Sequence, residues 1–318
     1  MTSAPLAAVT GGTGFVGLHL LPALARSGFR LRLLARHPPS HPALAGLTFE
    51  TVFGDLRNEA ALTKLVSGAD VVVHAAGLIK AHYRTDFLKT NRDGTALLAQ
   101  TTRLHAMTAR FLMVSSLAAR EPSLSPYAFS KNAAEHEAQR IFAEAPAQLA
   151  ILRPPALYGP WDRETLPLFK ASRGFFVPLL SSGRAALLYA EDAAEALAAM
   201  AGPSFVPGCF ALADERPAGY TMREIFTEAA QATGGNPHFF TLPSPVLRVA
   251  GVASGLWGRT RRKAPIFTLG KAREILHPDW SVPLKELLPR EIYTPRINLA
   301  TGFAQTVSWY RQAGWLHG

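Results

Sequence analysis

The sequence predicts an α/β protein built on a doubly wound parallel sheet, and three observations carry that reading. Short apolar or β-branched runs alternate with amphipathic segments of helical length through the first half of the chain. The first run leads into a glycine-rich turn that opens a helix. The chain has 318 residues, 48% hydrophobic and 18% charged, enough for a sizeable core and one or two domains, and this excludes a disordered protein.

In chain order, strands are expected at 6–10, 30–35, 48–53, 70–74, 110–115 and 148–153, with helical segments between most of them. After Arg153 proline and glycine become frequent, and 156–182 reads as loops with short helices. The stretch 185–201 reads as strand then helix and 208–213 as a strand, so 183–215 is expected to return to the sheet. The predicted division is a dinucleotide-binding domain of 1–155 plus 183–215, and a discontinuous substrate-binding lobe of 156–182 and 216–318. There is no internal repeat and no low-complexity segment.

The turn Gly11-Gly12-Thr13-Gly14-Phe15-Val16-Gly17 joins the first strand to a helix carrying Leu18, Leu20, Leu21 and Leu24. Glycine permits the tight turn, lets backbone approach a pyrophosphate and lets the helix pack on the strand, while the helix start offers unpaired N–H groups. A dinucleotide is therefore the expected ligand. Its adenosine ribose should meet the end of the second strand, where Arg36 stands and no acid does. That favours a 2′-phosphate, hence NADP(H), with NAD(H) the alternative.

Ser125-Pro126 reads as an N-cap followed by proline at the first helical position, so a helix begins there and sets Tyr127 and Lys131, spaced i,i+4, on one face. A free tyrosine has a pKa of about 10, and each unit of lowering needs roughly 1.4 kcal/mol of preferential phenolate stabilisation. A neighbouring ammonium supplies part of it, and the tyrosine becomes a proton donor or acceptor near neutral pH. Just upstream, the strand ending in Ser115-Ser116 brings a hydroxyl to the carboxyl edge of the sheet, where it can bond a carbonyl or alkoxide.

With Thr10–Gly17, Gly54-Asp55-Leu56, His74-Ala75-Ala76-Gly77, Asn91-Arg-Asp-Gly-Thr95, Ser115-Ser116, Tyr127-x-x-x-Lys131, Leu152-Arg-Pro-Pro155 and Tyr158-Gly-Pro160 in this order, the chain resembles the extended short-chain dehydrogenases/reductases, the NAD-dependent epimerase/dehydratase family. The resemblance implies a Rossmann sheet with a C-terminal substrate lobe. It implies that Asp55 and Leu56 meet the adenine, that Ala75, Ala76 and Gly77 line the ribose and phosphate side, that Lys131 also binds the nicotinamide ribose, and that Pro154 approaches the nicotinamide. Ser116, Tyr127 and Lys131 would be catalytic, with Asn91 supporting the proton relay. Some relatives of this fold bind a nucleotide without turning over substrate, but the intact Ser116, Tyr127 and Lys131 favour an enzyme. Relatives are often homodimers, which is the expected assembly.

Two departures weaken a nucleotide-sugar substrate. The strand 183–192 lacks the Arg-Asp-aromatic run usual in sugar-active members, and the segment between Ser116 and Tyr127 is short. The character is closer to 3β-hydroxysteroid dehydrogenase-like or bacterial ceramide reductase-like members, with a hydrophobic, lipid-like ketone or alcohol as substrate. A nucleotide-sugar epimerase with tightly held NAD and a non-catalytic nucleotide-binding subunit are the alternatives.

The net charge is +10, and 237–318 alone carries 11 Lys or Arg against 4 acids, a balance of +7. There an apolar segment, 243–258, precedes Arg259, Arg261, Arg262 and Lys263. The segment 243–263 reads either as a contact with an anionic membrane surface or as a packed helix over the substrate pocket beside a solvated loop. Nucleic acid is not expected, because the basic residues are not interleaved with a stacking platform. No metal is expected, because the 10 histidines are scattered. The single Cys209, and the absence of a signal-like start or an apolar run of about 18 residues, point to the cytoplasm, peripheral to the inner membrane face if 243–263 touches lipid.

Overall fold

The computed structural model describes residues 4–180, 182–241 and 269–317. The expected membrane segment 243–263 lies outside them.

The described chain forms two compact units. Of the described residues, the first comprises 4–153, 194–210 and 288–294, and the second 154–180, 182–193, 211–241, 269–287 and 295–317. In the first, β1 (Leu6–Thr10), β2 (Arg30–Ala35), β3 (Phe49–Phe53), β4 (Val71–His74), β5 (Arg110–Val114) and β6 (Leu149–Arg153) pair in parallel in the order β3-β2-β1-β4-β5-β6. Gly208–Ala211 joins the sheet beside β6. The strand order reverses between β1 and β4, and their carboxyl ends are Thr10 and His74. In an open α/β sheet that crevice is where a ligand is received.

β1 and β4 are buried at every position. This explains why they read as continuous apolar runs rather than alternating ones: helices cover both faces. The connecting helices are α1 (Phe15–Arg26), α2 (Glu59–Val66), the short α3 (Arg84–Phe87) leading into a π-helical turn Leu88–Asp93, α4 (Gly94–His105) and α5 (Pro126–Ile141). Leu62 and Leu65 of α2 pack with Leu98 of α4 and Phe111 of β5 in one cluster, with Phe111 and Phe142 ring centroids 5.3 Å apart. Burying each leucine contributes about 2 kcal/mol. Asn58 caps α2 by accepting from Ala61 N–H at 3.0 Å, and Ser125 caps α5 by accepting from Ala128 N–H at 3.0 Å with Pro126 at the first helical position.

The second unit is held by aromatic packing. Tyr158, Phe169, Phe303 and Tyr310 are fully buried in one cluster, with Tyr158–Phe303 and Phe169–Phe303 centroids both at 4.9 Å. Two expectations change here. Leu187–Tyr189, in the stretch expected to return to the large sheet, pairs in parallel with Ala156–Tyr158 instead. The stretch 156–182, expected to hold loops with short helices, also contains the strand Phe176–Leu179, which pairs with His238–Thr241. These strands have three or four residues, too few for a periodic signal. Asp192 joins distant parts of this unit by accepting from Arg296 N–H at 3.0 Å and Ile297 N–H at 2.9 Å.

Among the described residues no helix is long and apolar enough to cross a membrane, and no cluster of His, Cys, Asp or Glu could hold a metal ion.

Candidate active site

The glycine turn follows β1 and opens α1 at Gly14, which caps the helix without a side-chain bond. Gly11 has φ +75°, and a Cβ there would meet the Ala75 carbonyl carbon and Ala76 nitrogen at 2.5 Å. A Cβ at Gly17 would overlap Gly11 and Gly12 backbone. Only glycine fits at these two positions, so the turn lies against the loop after β4. Thr13 and Gly14 are exposed, Phe15 and Val16 are half-buried and Gly12 is buried.

Arg36 is exposed after β2, and its charge reaches Asp55. Asp55 accepts from Arg57 N–H at 2.9 Å and pairs with the Arg57 guanidinium at 2.8 Å, and these bonds hold its carboxyl below the usual range. Leu56 is buried, with its side chain against Gly94. Asp55 and Arg57, with Asn58 and Glu59, line an open cavity.

Ala75 and Ala76 are half-buried and Gly77 is exposed. A Cβ at Gly77 would lie 3.3 Å from Asn91 Oδ1 and 3.7 Å from Lys131 Nζ, so these three residues converge. Asn91 is buried in the π-helical turn; its amide donates to Leu78 O at 3.0 Å and to Ser130 Oγ at 2.8 Å, and its Oδ1 accepts from Leu78 N–H at 2.7 Å. Lys131 reaches from α5 to the end of β5, where it donates to the Val114 carbonyl at 2.8 Å. Burial lowers its pKa to about 8, against the opposing pull of Glu135.

Tyr127 is half-buried in the first turn of α5, with its ring 6.3 Å from that of Phe87. The two serines after β5 have different commitments. Ser115 is buried and donates to Glu135, which also holds Arg153 through two bonds of 2.9 and 2.5 Å. Ser116 starts the 3₁₀ turn Leu117–Arg120 and accepts from Ala118 N–H at 3.2 Å. That turn is tied to α5 by Asn132 Nδ2 donating to Ala119 O at 3.0 Å. The Ser116 and Tyr127 segments are thus fixed to each other.

All of these residues belong to the first unit. Pro154 is the exception: it is buried in the second. Sequence reasoning assigned no role to Thr10, Thr95 and Ser130, which bond Ala76 or Asn91, to His74, which bridges Thr10 and Thr95, or to Glu135, which bonds Ser115 and Arg153. His74, Thr10 and Thr95 stood inside matched motifs, but only the fold shows that they touch. The residues fit a nicotinamide dinucleotide: the glycine turn leaves room for phosphates beside α1, and Gly77 leaves a cradle beside Lys131 that a side chain would fill.

The protein-family model described as the NAD dependent epimerase/dehydratase family matches residues 7–204. A ceramide reductase from Caulobacter vibrioides (strain NA1000 / CB15N) is 46% identical over 314 residues, covering 97% of this chain and 95% of that protein. Sterol demethylase protein B from Methylococcus capsulatus (strain ATCC 33009 / NCIMB 11132 / Bath) is 30% identical over 174 residues, 48% of this chain and 52% of that one. In fold, DesIV, the dTDP-glucose 4,6-dehydratase of Streptomyces venezuelae solved with NAD and TYD bound, aligns with a TM-score of 0.74 over 98% of this chain and 99% of that one, at 21% identity.

Proposed function

We propose a reaction for this chain, which belongs to the NAD-dependent epimerase/dehydratase family and is an NAD(P)-dependent oxidoreductase of the extended short-chain type: NADPH-dependent reduction of a ketone on a lipid-like substrate of the 3-oxo-ceramide or sterol class. The observation that carries the substrate class is the 46% identity to a ceramide reductase along almost the whole of both chains. The dehydratase likeness, at 21% identity, supports the fold alone.

The glycine turn and Lys131 would hold a reduced nicotinamide dinucleotide, which would supply the hydride for the carbonyl carbon. The chain's own groups do the rest. Tyr127 donates the proton to the carbonyl oxygen, and Ser116 hydrogen-bonds that oxygen as negative charge develops on it. Lys131, beside Gly77 and Asn91, holds the nicotinamide ribose and favours phenolate over phenol through its charge. Ser115 takes no part, because its hydroxyl is spent on Glu135. Arg36, exposed just after β2, where neither sequence neighbour is an acid, is the group for a 2′-phosphate and carries the preference for NADP(H).

Activity profiling tests the substrate class. With NADPH, 3-oxo-ceramides and sterol ketones are expected to turn over while UDP- and dTDP-sugars do not. Conversion of nucleotide sugars without turnover of lipid ketones would reverse the reading.

A further inference from the structure

His74 closes β4 with its ring wholly buried between two hydroxyls: Nδ1 lies 2.7 Å from Thr10 Oγ1 and Nε2 lies 2.8 Å from Thr95 Oγ1. The direction of each bond follows from Thr95. Its hydroxyl proton goes to the Asn91 carbonyl at 2.5 Å, so its oxygen offers His74 only lone pairs. Nε2 therefore carries the ring proton and Nδ1 accepts from Thr10. Thr10 in turn accepts from Ala76 N–H at 3.3 Å. Burial beside Lys131 pushes the His74 pKa down to about 3, which agrees with a neutral ring.

On the far side of Asn91 the same polarity continues. Its side-chain amide donates to Ser130 Oγ at 2.8 Å, and Ser130 donates to the Tyr127 carbonyl at 2.8 Å. One oriented chain thus runs from Ala76 N–H through Thr10, His74, Thr95, Asn91 and Ser130 to the backbone of Tyr127. At one end is the loop against which Gly11 packs, and at the other is the residue that carries the transferred proton.

We infer that His74, locked as the Nε2–H tautomer, and Thr95 are positioning residues that hold Asn91 and Tyr127 in register with the cofactor-binding loop through this chain of hydrogen bonds. The inference rests on the proposed role of Tyr127 in proton transfer. A neutral ring with one donor and one acceptor gives the chain a single direction; an imidazolium would donate from both nitrogens, reverse the bond to Thr10 and leave the Thr10 proton without its acceptor. Neither residue touches the reacting atoms, so loss of the link should reach catalysis through geometry rather than binding.

Thr95→Val removes the hydroxyl and keeps the shape. It should lower kcat about tenfold with the dissociation constant for NADPH within about twofold of wild type, and Thr95→Ser should recover most of the kcat. Wild-type kcat in Thr95→Val, a serine variant as impaired as the valine one, or a loss confined to cofactor binding would each overturn the inference. Nitrogen-15 NMR of the wild-type holoenzyme gives a readout independent of variants and of substrate: a proton on His74 Nε2 is expected, and a proton on Nδ1 overturns the chain. If the wild type converts a nucleotide sugar instead of a lipid ketone, the substrate reading fails, yet the same kcat comparison decides the role of Thr95. If the wild type turns over neither, the tautomer still decides the direction of the bonds.

Discussion

The two units bury polar groups to different ends. In the first, the buried hydroxyls, amide and imidazole around Asn91 each find a partner of the right polarity, and the resulting network ends on the backbone of Tyr127. In the second, the core is a cluster of edge-to-face aromatic rings and aliphatic side chains, and Tyr158 is fully buried with its hydroxyl unbonded, the one such side-chain atom among the described residues. Burial drives the pKa of that phenol well above the ordinary tyrosine range. Nearby, Asp214 accepts from Tyr220 and from Arg216 N–H, both at 2.8 Å, and burial raises its carboxyl to about 6. The first arrangement fixes residues proposed to meet the cofactor and substrate. The second fixes chain segments, and ring packing outweighs one unsatisfied hydroxyl.

The largest effect that sharpens this contrast belongs to Glu135→Gln. The carboxylate is buried, holds Arg153 and accepts from Ser115, so its loss leaves the guanidinium partly uncompensated and should cost about 3 kcal/mol in chemical denaturation. Its charge also opposes the burial that brings Lys131 down to about 8, so the Lys131 pKa should fall further and the alkaline limb of activity should move to lower pH. The sign in wild type runs the other way from a salt-bridged lysine. Between about 8 and 10.5 the unfolded chain holds a proton that the fold releases, so the contribution of Lys131 to stability rises with pH across that window. An unshifted pH profile in Glu135→Gln would separate the ion pair from the site.

A middle effect is expected for Arg36→Ala. Affinity for NADPH should weaken about tenfold, or roughly 1.4 kcal/mol, with NADH affinity unchanged. Equal affinities before and after would remove Arg36 from cofactor choice. The smallest effect should come from the second unit. Tyr158→Phe deletes a buried hydroxyl that bonds nothing and keeps the ring, so stability should stay level or rise by up to about 1 kcal/mol. A loss of several kcal/mol would mean that the hydroxyl has a partner after all, and the contrast between the units would weaken.

How much of this was legible in the sequence divides along the same line. The first six strands were readable to within a residue or two, because a sheet covered on both faces demands unbroken apolar runs. Gly11 and Gly17 were readable because the backbone there admits nothing larger. The cap at Ser125 announced the helix that carries Tyr127 and Lys131. The supports behind them were not readable: Ser115, Glu135 and Arg153 are separated by about twenty positions each, and Thr10, His74 and Thr95 meet only because β1 and β4 are neighbours at the point where strand order reverses. In the second unit, strands of two to four residues and a core of rings leave no period to read, and the pairing of Leu187–Tyr189 with Ala156–Tyr158 was missed for that reason.

The proposed delivery of a proton from Tyr127 to a lipid ketone is tested by comparing NADPH oxidation by wild type and Tyr127→Phe with a 3-oxo-ceramide. Wild type should turn over and the variant should fall by about a thousandfold, with NADPH affinity within about twofold of wild type. A phenylalanine variant that keeps activity within tenfold, or a wild-type protein that leaves the lipid ketone untouched while converting a nucleotide sugar, would contradict it.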